Sequence, residues 1–299
     1  MPVRYTSDDE DSSRWNGFPF RSGDIVVSTR SKSGTTWVQM ICALLIFQNR
    51  QFPQPLAVLS PWLDRTTQPL DTVISRLESQ KQRRVIKTHA PLDGIPIDKR
   101  ATYIVVGRHP LDMAVSLYHQ GDNIDRQRLR ELTGQPEPAT PRRPRPDLHS
   151  WLLRWIDRDT PPAECLDDLP GVIWHIRDAW ARRSAGNVLL VHYDDLLNDL
   201  DGQMRHLAAR LDITIPRTLW ADLVDAATFD SMRGRHAELI PNSNGILKDS
   251  RAFFRRGSSG AGAETLTAEE LAHYYKRVES LAPADVLQWL NRTTSIPRL

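Results

Sequence analysis

Asp24-Ile25-Val26-Val27-Ser28-Thr29-Arg30-Ser31-Lys32-Ser33-Gly34-Thr35-Thr36-Trp37 is the stretch that decides the reading of this chain. After Gly23, the run through Ser28 is short and apolar, which predicts a buried strand. A polar loop with one glycine follows, and then the apolar stretch 37–47, which predicts a helix. A loop feeding a helix N-terminus presents unpaired backbone N–H groups, and these hold phosphate-like anions. Gly34 permits a close approach or an unusual dihedral. Lys32 adds a point charge, and the hydroxyls of Ser33, Thr35 and Thr36 add donors. A plain polar turn with a capped helix would read the same way over so few residues. The ATPase loop GxxxxGK[ST] is a different pattern, because here Lys32 precedes the glycine and the upstream glycine is missing.

Working outward, three further apolar runs predict strands, at 84–87, 102–106 and 187–192. Helical segments separate them, one starting near Pro110 and running through Tyr118. Near-continuous apolar strands of this kind predict an α/β fold with a parallel sheet covered by helices on both faces. Ligands in such sheets bind beyond the carboxyl ends of the strands. Lys32, Lys87, His89 and Arg108 all fall at those ends, which points to an enzyme. Ser116, on the second turn of the Pro110 helix, is placed to clasp a second phosphate together with Arg108. A surface arginine and a mid-helix serine are the bland alternative. Thr267 and Glu270 form a capping-box pattern ahead of a helix over 268–281.

The stretch 134–146, rich in proline and arginine, predicts an irregular loop within a variable insertion around 123–150. Its arginines suit a solvated loop or contact with an anionic acceptor or membrane. The stretch 251–262 reads as a second loop, rich in Gly, Ser and Arg. With no internal repeat and no interdomain linker, residues 1–299 predict a single domain.

The 299 residues carry 39 basic and 37 acidic side chains, a net charge of +2, which argues against a nucleic-acid binder. No apolar run is long enough for a transmembrane helix, and the polar, acidic start MPVRYTSDDEDSSRW is unlike a secretory signal peptide. Cys42 and Cys165 are too few and too far apart for a disulfide framework or a zinc site. Two reduced cysteines and these absences predict a cytoplasmic protein.

The combined segments resemble the cytosolic-type sulfotransferase family. The matching residues are Lys32-Ser33-Gly34-Thr35-Thr36-Trp37, Lys87-Thr88-His89-Ala90-Pro91, and Arg108 through Ser116. Tyr193-Asp194-Asp195-Leu196, Thr228 through Met232, and Phe253-Phe254-Arg255-Arg256-Gly257 complete the set. Ser60-Pro61-Trp62-Leu63-Asp64 and Pro91-Leu92-Asp93-Gly94 add a closer likeness to actinobacterial glycolipid sulfotransferases.

The resemblance implies a P-loop-like sulfotransferase fold. It also implies direct transfer of a sulfuryl group from 3′-phosphoadenylyl sulfate (PAPS) to a hydroxyl, releasing 3′-phosphoadenosine 5′-phosphate (PAP). On it, Lys32 and the loop through Thr36 hold the 5′-phosphosulfate. Arg108 and Ser116 bind the 3′-phosphate with Arg255, Arg256 and Gly257. Trp37 and Phe229 flank the adenine, with Tyr193 and Thr228 making polar contacts. His89 is the general base, since an imidazole titrates near neutrality. Lys32 and Lys87 stabilise the developing charge, and Ser33 restrains Lys32. No metal is required, and Asp194-Asp195 reads as an acidic pair of structural or solvent-facing kind.

One departure stands out: where the family commonly has Gly-Asp-Trp-Lys, this chain has Gly260-Ala261-Gly262-Ala263, which leaves loop closure and oligomeric state open. A small-molecule kinase and a noncatalytic nucleotide-binding protein are the alternatives. The acceptor is expected to be a small molecule or a glycolipid. His109 reads equally well as a cap or packing residue, and His149, His175 and His192 have no contact signal beyond a reach to the acceptor side. The tryptophans at 151, 155, 174 and 180 read as helix packing in preference to a pocket lining.

Overall fold

The computed structural model describes residues 1–137, 144–240, 242 and 244–292. Four parallel strands form its sheet: β1 (Ile25–Thr29), β2 (Val85–Thr88), β3 (Thr102–Gly107) and β4 (Val188–His192), in the order β2-β1-β3-β4. All four were expected within a residue or so of these bounds. Val27 lies beside Lys87 on one side and Ile104 on the other, and Gly107 lies beside His192.

Both faces of the sheet are covered, as the uninterrupted apolar strands require. Val26, Ile86, Tyr103, Val105 and Val188 face a core built with Trp15, Trp155, Ile173 and the first turns of helix Pro110–Asn123. Ile25, Val27, Ile104, Val106, Leu189 and Val191 face the opposite core, dominated by helix Thr35–Phe47. That helix shows little amphipathicity because it is buried nearly all round, from Trp37 to Leu45. At the amino ends of β1 and β2, Arg84 donates to both oxygens of Asp24, at 2.8 and 2.5 Å, with both side chains buried.

The chain leaves β1 toward β2 on one side and reaches β3 on the other. Their carboxyl ends therefore open a crevice at a switch point of the topology. The capping box of Thr267 and Glu270 forms as expected, opening helix Ala268–Glu279.

The loop expected over 134–146 carries no helix or strand where it is described, while that over 251–262 needs correction. The wider span 123–150 also contains helix Arg126–Thr133, capped by the Asp125 carboxylate and ended at Gly134 in a left-handed conformation. Leu148 already begins the next helix, and residues 138–143 lie outside the described residues. The span 251–262 holds a short 3-10 turn, Arg251–Phe253, and the start of helix Ala261–Thr265.

Candidate active site

A cavity of about 490 Å³ opens over the carboxyl ends of β1, β2 and β3. The loop after β1 enters it first. Gly34, at φ +107°, ends the loop and caps helix Thr35–Phe47, a conformation that strains any residue with a Cβ. Lys32 also sits at positive φ, +66°, a left-handed conformation uncommon for a residue with a Cβ. Its Nζ lies 3.6 Å from the centre of the Phe253 ring and 3.4 Å from Gln120 Oε1. Gln120 and Ser116 line the cavity from one face of helix Pro110–Asn123.

Arg108, just beyond β3, reaches across this loop. Its Nη1 donates to the Lys32 carbonyl at 3.0 Å and its Nη2 to the Ser258 carbonyl at 3.3 Å. The guanidinium lies over the Tyr193 ring at 4.2 Å, and its buried Nε has no hydrogen-bond partner. Arg255 lines the same space. Among the described residues, Lys32, Lys87, Arg108 and Arg255 form no ion pair. Burial, then Arg108, Lys87 and Arg255, push the Lys32 ammonium down to about 7. Burial and Arg65 push Lys87 to about 7 as well, with its Nζ 3.7 Å above the Trp62 ring. Cations crowded together without a direct carboxylate partner fit an anionic ligand.

His89 follows β2 and is buried. Its Nδ1 lies 2.5 Å from the Thr29 carbonyl, which can only accept, so Nδ1 carries the hydrogen and Nε2 keeps its lone pair. Burial, with Lys87 and Arg30 nearby, holds the imidazole well below its usual value, so the ring is neutral. Trp62 packs edge-on against it, centroids 4.4 Å apart. Arg30 Nη1 donates to the His89 carbonyl, and Arg30 Nη2 pairs with Asp167 at 2.5 Å.

On the far side, Trp37 donates from Nε1 to the Ala227 carbonyl at 2.8 Å and packs against the edge of Tyr193. Phe229 lines the cavity opposite Gly257, whose φ of +68° and lack of a Cβ let the backbone come against that ring. Gly34, Thr35, Thr36 and Arg256 also line the cavity, and Arg256 makes a two-point pair with Glu264.

Two expected contacts are not brought here. The Ser33 side chain is buried outside the cavity. Thr228 spends its hydroxyl as the cap of helix Phe229–Gly234 and on the Asp225 carbonyl. The turn at 260–262 closes without an aromatic or lysine. The buried Asp112 carboxylate accepts from the N–H groups of Gly260 and Gly262, both at 2.8 Å. Asp194 takes the hydroxyl of Ser259, Asp195 pairs with Arg292, and no cluster of metal-ligating side chains occurs among the described residues.

His109, His149, His175 and His192 all serve packing, caps or pairs outside the cavity, as do Trp151, Trp155, Trp174 and Trp180. Sequence reasoning missed Arg30, Glu10, Asp167, Gln120 and Asp112. Only Arg30 carried a local signal, as a charged residue directly after a buried strand.

A crowded cationic crevice at the switch point of a parallel sheet, beside a neutral histidine, fits a transferase acting on an anionic donor. A sulfotransferase domain model matches residues 22–285, and the chain belongs to the sulfotransferase family. It is a PAPS-dependent sulfotransferase. A "Glycolipid sulfotransferase" of Mycobacterium bovis is 39% identical over 96% of this chain and 93% of its own length. That of Mycobacterium tuberculosis is 39% identical over the same shares. These relatives bear out the actinobacterial likeness. In fold, the chain resembles mouse sulfotransferase SULT7A1 complexed with PAP (TM-score 0.69, 19% identity, 94% of this chain and 91% of that one). It also resembles retinol dehydratase in complex with androsterone and PAP (TM-score 0.66, 20% identity, 90% and 82%). Family membership sets aside the kinase alternative.

Proposed function

We propose that this enzyme sulfates a hydroxyl of an amphipathic acceptor of the glycolipid kind, by direct in-line transfer with His89 as general base. The observation that carries the reading is the set Lys32, Lys87, Arg108 and Arg255, converging on one cavity with no carboxylate paired to any of them among the described residues. The donor supplies an activated sulfuryl group. The chain's own residues do the rest.

His89 Nε2 takes the acceptor proton as its oxygen attacks, while the Thr29 carbonyl fixes the ring through Nδ1. Lys32 stabilises the leaving phosphate, and Lys87 the oxygens in transfer, from positions set before reaction begins. Arg108, with Ser116 and Arg255, holds the 3′-phosphate. Trp37 and Phe229 flank the adenine, and Tyr193 orients it. Arg256 and Gly257 shape the backbone over that end. No step of this scheme needs a metal.

Two kinds of cavity wall support an amphipathic acceptor. Leu117, Ile124, Ile246 and Leu247 are apolar, whereas the wall near His89 is charged. The mycobacterial relatives' names point the same way. The test is incubation of the protein with PAPS and pooled hydroxylated acceptors, glycolipids included, read by mass spectrometry. Donor-dependent gain of one sulfuryl group by a glycolipid is the expected result. Transfer only to simple phenols or sterols would overturn the acceptor class.

A further inference from the structure

The cavity wall beside His89 is lined by Asp9, Glu10, Arg30, Arg65 and Asp167, a polar surface poorly suited to a bare hydrocarbon. Most of these charges are satisfied within the protein. Asp9 pairs with Arg65 at 3.2 Å, and Asp167 with Arg30 at 2.5 Å. Glu10 is held more loosely. Its Oε2 stands 4.0 Å from Arg30 Nη1, and among the described residues no hydrogen bond reaches its carboxyl. The side chain is 14% exposed and lines the cavity.

Its position is nevertheless fixed. Glu10 bridges Arg65 as a short antiparallel pair, and its carbonyl accepts from the Ser7 N–H at 3.0 Å. The same Arg30 Nη1 that faces Glu10 donates to the His89 carbonyl. One guanidinium thus separates this carboxyl from the residue that holds the base. Burial pushes the carboxyl up to about 8, against the pull of Arg30, which favours the protonated acid, a group that both donates and accepts.

We propose that Glu10 is a specificity residue that hydrogen-bonds a second hydroxyl of a carbohydrate acceptor while His89 takes the proton of the hydroxyl that is sulfated. The proposal rests on the reading of His89 given above. A site built around a buried hydrogen-bonding group discriminates strongly against an acceptor that leaves that group unpaired. Glu10 therefore favours a sugar over an alkyl alcohol carrying the same tail.

The test compares octyl glucoside with 1-octanol as acceptors, using wild-type protein, Glu10→Leu and Glu10→Gln. The readout is the ratio of the two kcat/KM values, with PAP affinity measured alongside as the check on folding. Glu10→Leu is expected to lower that ratio by about tenfold or more. Glu10→Gln, which keeps a donor and an acceptor, is expected to stay within about threefold of wild type. An unchanged ratio in Glu10→Leu overturns the proposal, and so does an equal loss in both variants. Wild-type protein that binds PAP and sulfates 1-octanol but not octyl glucoside would also overturn it, leaving the sulfotransferase reading intact. Failure to bind PAP at all would remove the donor-site reading beneath it.

Discussion

At the scale of single residues, the site sets a buried base against buried cations. His89 is kept neutral by its surroundings, so its removal should cost chemistry rather than binding. His89→Ala is expected to lower kcat by roughly 10²–10⁴-fold with PAP affinity within about threefold of wild type, measured by steady-state kinetics and calorimetry. Lys32 and Lys87, both pushed to about 7, make a pH prediction. Above pH 7 each is increasingly neutral in the free protein, and an anionic ligand favours the charged form. PAP binding should therefore take up few protons at pH 6 and up to about two, one per lysine, near pH 8.5. Calorimetry in buffers of different ionisation enthalpy reads this directly, and an uptake that does not grow with pH would sink it.

The same depression has a cost for the fold. A lysine whose folded value lies below its unfolded value penalises folding most fully below the folded value, and the penalty fades as pH rises from about 7 toward 10.5. Lys32→Met should therefore stabilise the ligand-free protein at pH 7 while abolishing turnover. The gain should be roughly 1–2 kcal/mol, less than the whole shift implies because one side of the ammonium faces the cavity. Urea unfolding of the two proteins checks it.

At the scale of elements, the segment over the cavity is held by an unusual fastening. Helix Pro110–Asn123 offers the Asp112 carboxylate, with no side chain of residues 260–263 taking part, and the turn at Gly260 and Gly262 hangs from it by two backbone hydrogen bonds. Asp112→Ala leaves two N–H groups without their acceptor, one of them fully buried. It should cost roughly 2–4 kcal/mol of stability and loosen the segment that carries Arg255 and Gly257. PAP affinity is expected to fall at least tenfold, with a smaller effect on acceptor KM. An unaltered PAP affinity in a folded Asp112→Ala protein would show that the fastening does not reach the site. Sequence likeness had located this segment but not its closure, because the lost aromatic and lysine are replaced by a residue about 150 positions away.

At the scale of the whole molecule, the Arg84–Asp24 pair ties the starts of the two strands whose far ends carry Lys32 and His89. Both side chains are buried, and removing one partner strands the other charge. Asp24→Ala should destabilise the protein by roughly 3–5 kcal/mol, with kcat per folded molecule unchanged, since the pair lies at the opposite edge of the sheet. Thermal unfolding paired with active-site titration separates the two effects.

How much of this was legible beforehand follows from where the information lay. Strand identity, helix starts and the placement of Lys32, His89 and Arg108 at strand ends are local properties. An apolar run, a glycine at a turn or a capping box is a signal carried by neighbouring residues, so the sequence alone determined them. The tautomer of His89, the engagement of Thr228 as a cap and the closure at Asp112 were decided only by the tertiary structure. So was the polar wall that Glu10, Arg30 and Asp167 make from three distant segments. Contacts between residues far apart in the chain leave no periodicity in it, and the burial that displaces Lys32, Lys87 and Glu10 from their ordinary protonation exists only once those segments have packed together.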